Sequence, residues 1–259
     1  MMPLWLLFLL VGAAGGFTAG LFGVGGGLVI VPTLYFLWRA DPVLGPHVMH
    51  YAVATSLACI VVTSVTSSWT HWRAKRLRVQ WLRWLIVSVS MGSIAAVLLA
   101  NWLPTDGLKL AFGGFALITC ISLLRKRHPE AASRTPPRHE LLGVGAFIGH
   151  VSTLLGISGG AMTVPYLVLR GVDMRQAVVV SSAVAIPIAL IGALGLAATG
   201  PSTAHTLGYV HLSAFLGISA TSMFFARLGA GWSQQMDKRK LQLAFALFLA
   251  LVAAHMLLS

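Results

Sequence analysis

Two glycine-rich runs, Gly23-Val-Gly-Gly-Gly27 and Gly156-Ile-Ser-Gly-Gly160, interrupt otherwise apolar stretches of the chain. Glycine reaches positive-φ conformations, in which successive backbone N–H groups converge into an anion-binding nest. Helices restarting at Leu28 and Ala161 would add their N-terminal dipoles at the same places. Pro32 and Pro165 stand early in those segments, where an N–H has no intrahelical partner to lose. Gly23, Gly25, Gly26, Gly27, Gly156, Ser158, Gly159 and Gly160 are therefore candidate ligands for a small anion. The competing reading is close helix packing, which small residues provide in membranes. Packing calls for spaced glycines, whereas these are adjacent.

Neutral hydroxyls stand at matching places further on, Thr55-Ser56 and Ser181-Ser182. In apolar helices such groups either bond back to their own helix or meet substrate; their recurrence favours substrate contact. His150 lies within an apolar span, where an ionisable group is a functional candidate by default and a neutral packed histidine the alternative. Cys59 and Cys120 have no metal-ligand spacing and read as packing residues. No P-loop occurs, and neither a metal nor a cofactor is expected.

The elements that must hold these residues follow from composition. Of 259 residues, 57% are hydrophobic and 9% charged, against about 25% charged in an average soluble domain; mean hydropathy is +0.85. Pro3–Phe22, Trp84–Leu103 and Gln176–Thr199 each reach the roughly 20 residues that cross a bilayer as helix. The expected fold is an all-α polytopic membrane protein, which excludes a soluble enzyme, a disulfide scaffold and a disordered chain. The formal charge of +12 does not indicate nucleic acid. Fifteen of 18 basic residues fall in four short loops, Arg73–Arg83, Arg125–Arg138, Arg170–Arg175 and Lys238–Lys240. Such clusters stay on the cytoplasmic face and attract anionic lipid. The apolar N-terminus lacks the positive flank of a signal peptide and reads as structure.

The two glycine runs belong to a repeat. At an offset of 133, ten of the 22 pairs from Val11/Val144 to Pro32/Pro165 are identical. Residues 1–124 form a first copy and 141–259 a second, joined by a polar linker, 125–140. The segments of copy one are Pro3–Phe22, Leu28–Trp38, Val48–Thr70, Trp84–Leu103 and Leu110–Leu124; those of copy two are Leu141–Leu155, Ala161–Leu169, Gln176–Thr199, Tyr209–Ala226 and Leu241–Leu258. The second segments have 11 and 9 residues, about half a bilayer as helix. If each broken pair folds back as a re-entrant hairpin, every basic loop lies inside and every neutral loop outside. Each copy then makes three passes, so the copies are inverted and both termini lie outside. Paired breaks in inverted halves point to a transporter's central site.

The doubled Gly-Val-Gly-Gly-Gly…Pro32 and Gly-Ile-Ser-Gly-Gly…Pro165, with Thr55-Ser56 and Ser181-Ser182 after them, resemble the sulfite exporter TauE/SafE-type permease family. The resemblance covers nearly the whole chain and departs at Ser158, where a third glycine is more usual, and Ser181, where a threonine is. It implies a carrier in the bacterial inner membrane for sulfur-containing anions such as sulfite, sulfonates or sulfoacetate. The expected partners are a small anionic substrate and the lipid bilayer, without nucleic acid; a homodimer is compatible with it. The rival is a rhomboid-like intramembrane protease, since Gly156-Ile-Ser158-Gly159 and Ala204-His205-Thr-Leu-Gly208 match its Gly-x-Ser-Gly and Ala-His-x-x-Gly. His205 falls in a polar stretch outside the spans, and the repeat already accounts for Gly-Ile-Ser-Gly. All six carboxylates lie in loops or at span ends, so proton coupling through a buried Asp or Glu is not expected.

Overall fold

A computed structural model describes residues 4–22, 25–73, 79–124, 137–172, 174–233 and 238–258. Copy one contains α1 (Leu4–Phe22), α2 (Gly27–Trp38), α3 (Val48–Arg73), α4 (Val79–Ala100) and α5 (Thr105–Leu124). Copy two contains α6 (Arg138–Leu155), α7 (Gly160–Leu169), α8 (Met174–Thr199), α9 (Leu212–Ser233) and α10 (Lys238–Leu258). The fold is nearly all-α, and among the described residues four helical segments are long and apolar enough to cross a membrane: Gly45–Val65, Leu82–Ala100, Gln176–Thr199 and Leu212–Gly229. Large apolar side chains such as Leu98, Ile118, Leu194, Leu216 and Leu247 face outward, while Thr55, Ser56, Ser152, Thr163 and Ser181 are buried. That distribution suits a hydrocarbon surround, where apolar atoms gain nothing by hiding and polar ones must be enclosed.

Each glycine break turns the chain back on itself. Phe8 near the start of α1 lies 6.3 Å from Trp38 at the end of α2, ring to ring. In copy two the Tyr166 hydroxyl, in α7, donates to Glu140 at the start of α6 across 2.9 Å, and Arg170 pairs with the same carboxylate. The turn that ends α6 is a Schellman motif: Gly156 is left-handed at φ 68°, and the Ile157 N–H donates to the Ser152 carbonyl at 2.9 Å.

Spaced glycines close the helix interfaces. A Cβ on Gly12 would overlap the Ile218 backbone of α9, and one on Gly16 the Ser222 backbone. Their repeat mates Gly145 and Gly149 do the same in α6, against Ser88 and Val89 of α4. These are two small-xxx-small seams, and in both the sequence numbers rise together, so α1 runs parallel to α9 and α6 to α4. By contrast α5 and α10 run antiparallel, with Gly113 against Leu257 and the Cys120 thiol against the Ala246 carbonyl. α3 also packs against α8.

Two expectations change. The helix expected over Tyr209–Ala226 begins at Leu212, because the chain before it forms an antiparallel hairpin, β1 (Thr206–Leu207) and β2 (Val210–His211). Its turn passes through Gly208 at φ 55°, and a Cβ there would overlap the Ala197 carbonyl. Second, α2 and α7 start at Gly27 and Gly160, so Pro32 and Pro165 are each sixth in their helices. Both lie beyond the unbonded first turn and remove the bonds normally made to the carbonyls of Leu28 and Ala161.

Candidate functional site

The two breaks meet. A Cβ on Gly25 would run into the Ser158 side chain, and one on Gly27 would overlap the Gly156 carbonyl and stand 3.0 Å from Ile157 Cα. Gly25 and Ser158 occupy equivalent positions in the repeat, so the copies touch each other at the same residue. This explains the departure at 158: one serine fills the space that the facing glycine leaves, and two would collide.

Gly25 has φ 71°, Gly156 φ 68° and Gly159 φ 74°, the left-handed region that side-chain-bearing residues rarely enter. Gly26 differs. It is right-handed at φ −70° and caps α2, with its carbonyl accepting from the N–H groups of Val29 and Ile30 at 3.0 and 2.9 Å. Gly159 caps α7 and accepts likewise from Met162 and Thr163 at 3.1 and 2.8 Å. Gly160 is the buried first residue of α7. Gly23 lies outside the described residues.

The hydroxyl candidates divide. Ser56, on α3, donates to the Gly156 carbonyl at 2.8 Å, fastening the second break to a copy-one helix. Thr55 accepts from the His211 N–H at 3.0 Å, so its oxygen holds the β-hairpin. Ser182 bonds back to the Val178 carbonyl of its own helix at 3.0 Å, and Ser181 is buried. His150 is half-buried on the part of α6 that packs on Gly92 of α4.

Three hydroxyls not singled out from the sequence lie beside the second break. Ser152 and Thr153 form the last turn of α6, Thr163 the first turn of α7, all three fully enclosed, and none of their hydroxyl oxygens has a hydrogen-bond partner. A buried hydroxyl without a partner costs about 1–3 kcal/mol, so such a group calls for a ligand. The signal available in the sequence was position alone: Ser152 and Thr153 precede Gly156 by one turn, and Thr163 follows Gly159 by one.

The end of the molecule away from Glu140 and Arg170 is closed by rings. His211 stacks on Trp38 at 5.0 Å and tilts against Phe8 at 5.7 Å. Its Nδ1 accepts from the Ala214 N–H at 3.3 Å, capping α9. Burial lowers the His211 pKa, and the nearby His205 lowers it further. The buried His50 meets the Ala100 carbonyl through Nε2 at 2.9 Å and lies against Tyr209 at 5.1 Å. His205 is exposed on the hairpin, while Ser158 is buried at the meeting of the breaks. The opposite end carries Arg83 and Arg138, both over the Trp84 ring, at 5.2 and 5.3 Å from its centre.

Comparison with known proteins gives one answer throughout. Residues 8–256 match the model of the family described as sulfite exporter TauE/SafE. A probable membrane transporter protein of Haemophilus influenzae is 35% identical over 259 residues, covering 98% of both chains. A second, from Methanocaldococcus jannaschii, is 28% identical over 258 residues, covering 97% of this chain and 95% of its own.

Proposed function

Because the chain belongs to the sulfite exporter TauE/SafE family, we propose that it exports small sulfur oxyanions, such as sulfite, sulfonates or sulfoacetate, by alternating access at a site near the bilayer midplane. Family membership makes the chain a multi-pass membrane transporter and not an enzyme, which leaves the pairing of Ser158 with His205 as a protease without support. The observation that carries the substrate reading is the meeting of the two breaks at Gly25 and Ser158. Backbone released from helices inside a membrane protein needs a cavity or a ligand to satisfy it, and helix N-termini at Gly27 and Gly160 favour a negative one.

Inverted copies are supported by the equivalent helices α5 and α10, which run antiparallel, and by the reciprocal pairing of α1 with α9 and α6 with α4. In a bacterial inner membrane the end bearing Arg83, Arg138 and Arg170 is cytoplasmic, and both termini lie outside. Residues 1–124 and 141–259 then act as two rocking halves around the breaks.

The test is a thermal-shift panel of purified protein against sulfite, sulfonates, sulfate, phosphate and carboxylates, followed by flux in vesicles. A true substrate at 100 times its Kd stabilises by about 2.7 kcal/mol and moves across the vesicle membrane. Stabilisation by carboxylates alone would overturn the sulfur-oxyanion reading.

A further inference from the structure

The two breaks are alike in sequence but not in what surrounds them. In copy one the Ile30 side chain fills the inside of the hairpin: a Cβ on Gly15 would stand 2.9 Å from Ile30 Cγ1, and one on Gly26 3.0 Å from Ile30 Cδ1. At the offset of 133 the mate of Gly15 is Ile148 and the mate of Ile30 is Thr163. In copy two the apolar bulk comes from other elements: Ile188 Cδ1 of α8 stands 2.8 Å and Ile148 Cγ2 of α6 3.5 Å from the Cβ position of Gly159. The second helix instead contributes a buried threonine whose hydroxyl has no partner. The mates of Ser152 and Thr153 are Ala19 and Gly20, so copy one has no hydroxyl at any of these three positions. Ser152 Oγ lies 3.4 Å from the Cβ position of Gly159, pointing it at the left-handed turn that opens α7.

We propose that each chain has an oxyanion subsite at the second break, in which the hydroxyls of Ser152 and Thr163 and the α7 N-terminus bind a singly charged tetrahedral oxyanion, while the described part of the first break, Gly25–Gly27, is a packing surface. This rests on the transport reading above and narrows it. The single charge follows from the donors. Residues 141–169 contain no Lys, Arg, Asp or Glu, and residues 1–38 none either, so neither hairpin brings a fixed counter-charge to the anion, which meets hydroxyls and backbone N–H groups. The cost of taking an ion out of water grows with the square of its charge, so a dianion costs about four times as much as a monoanion of the same size. Neutral donors return about 1.5–3 kcal/mol for each hydrogen bond to a charged group, which suits one charge and not two.

The experiment uses full-length protein in detergent with methanesulfonate, singly charged at all working pH values, and sulfate, doubly charged. Ser152→Ala and Thr163→Val are each expected to weaken methanesulfonate binding by about 10- to 100-fold. Both should melt at or above the parent temperature without ligand, because each removes a polar group that has no partner. Thr163→Ser keeps the hydroxyl and should retain affinity, and Ile30→Val should not change it. Sulfate should bind at least tenfold more weakly than methanesulfonate. Parent-like affinity in Ser152→Ala and Thr163→Val would overturn the subsite and leave the transport reading standing. Loss of affinity in Thr163→Ser as well would make residue 163 a packing position, and sulfate binding as tightly as methanesulfonate would overturn the charge selection. A parent protein stabilised by no oxyanion would overturn this proposal together with the reading it rests on.

Discussion

Gly27→Ala is the sharpest probe of how the two halves meet. Gly27 is the first helical residue of α2 and needs no unusual backbone angle, so alanine brings no conformational strain of its own. The added Cβ would overlap the Gly156 carbonyl, stand 3.0 Å from Ile157 Cα and 3.2 Å from the Gly156 carbonyl carbon. All three are backbone atoms of the Schellman turn, held by the Ile157 N–H bond to Ser152 and the Ser56 bond to Gly156. No rotamer change relieves the overlap, so the two breaks must separate. Overpacking of this kind costs about 1–3 kcal/mol, and the helix preference of alanine over glycine returns up to about 1. At roughly 2–4 °C per kcal/mol for a chain of about this size, the melting temperature should fall by several degrees, with transport lost or strongly reduced. Gly143→Ala is the matched control: it lies within α6 with nothing inside 4 Å of the new Cβ, and should stabilise by up to about 1 kcal/mol. Intrinsic tryptophan fluorescence during heating reads both, and flux in vesicles reads transport. If Gly27→Ala melts and transports like the parent, the two breaks do not touch as described and the site argument built on them fails.

Three further outcomes are expected. Single cysteines at Ser133 and Thr203 should label from opposite sides of the membrane, with Ser259 on the side of Thr203; the native Cys59 and Cys120 are buried and should add little background. Because His211 is held below the ordinary histidine pKa by burial, the unfolded chain binds its proton first, near pH 6.5. The stability tied to His211 is therefore intact above that value and declines as pH falls below it; melting between pH 7 and 5 should be steeper for the parent than for His211→Phe, and equal slopes would refute this. Glu140→Gln keeps an acceptor for Tyr166 but loses the pairing with Arg170, which is partly exposed. It should cost no more than about 1 kcal/mol, shrinking further in high salt, whereas Glu140→Ala should cost more in both conditions.

The doubled glycine runs stand out in the sequence because they break apolar helices at matching places, and the structure gives glycine two uses: Gly12, Gly16, Gly145 and Gly149 close seams, while Gly25, Gly156 and Gly159 turn the chain. The loop charges and the short second segments raised the expectation that the broken segments fold back, and the structure brings Phe8 to Trp38 and Tyr166 to Glu140. The hairpin at Thr206–His211 was not legible, because its partners Thr55, Trp38 and Phe8 come from distant parts of copy one. The same contact gives Thr55 a structural bond that no local pattern announces. Pro32 was misplaced by reading the helix start one residue late and the free N–H groups too generously. Ser152 and Thr163 were passed over because repeat logic rewards residues that recur, and these are the positions where the copies differ.

The parallel seam between α1 and α9 has a consequence for how the protein is made. Gly12 and Ile218 meet although about 200 residues separate them, and at about 5–20 residues per second the ribosome needs roughly 10–40 s to supply the second after the first. For that interval α1 sits in lipid with its glycine seam uncovered, as its wholly uncharged sequence allows. No Lys, Arg, Asp or Glu side chain lies in residues 1–38; the first cluster of basic residues to emerge is Arg73–Arg83. The first hairpin is therefore expected to take its orientation together with α3 and α4 and to be completed only when α9 arrives. A chain released before α9 would expose that seam permanently, which makes truncated products natural targets for membrane proteolysis.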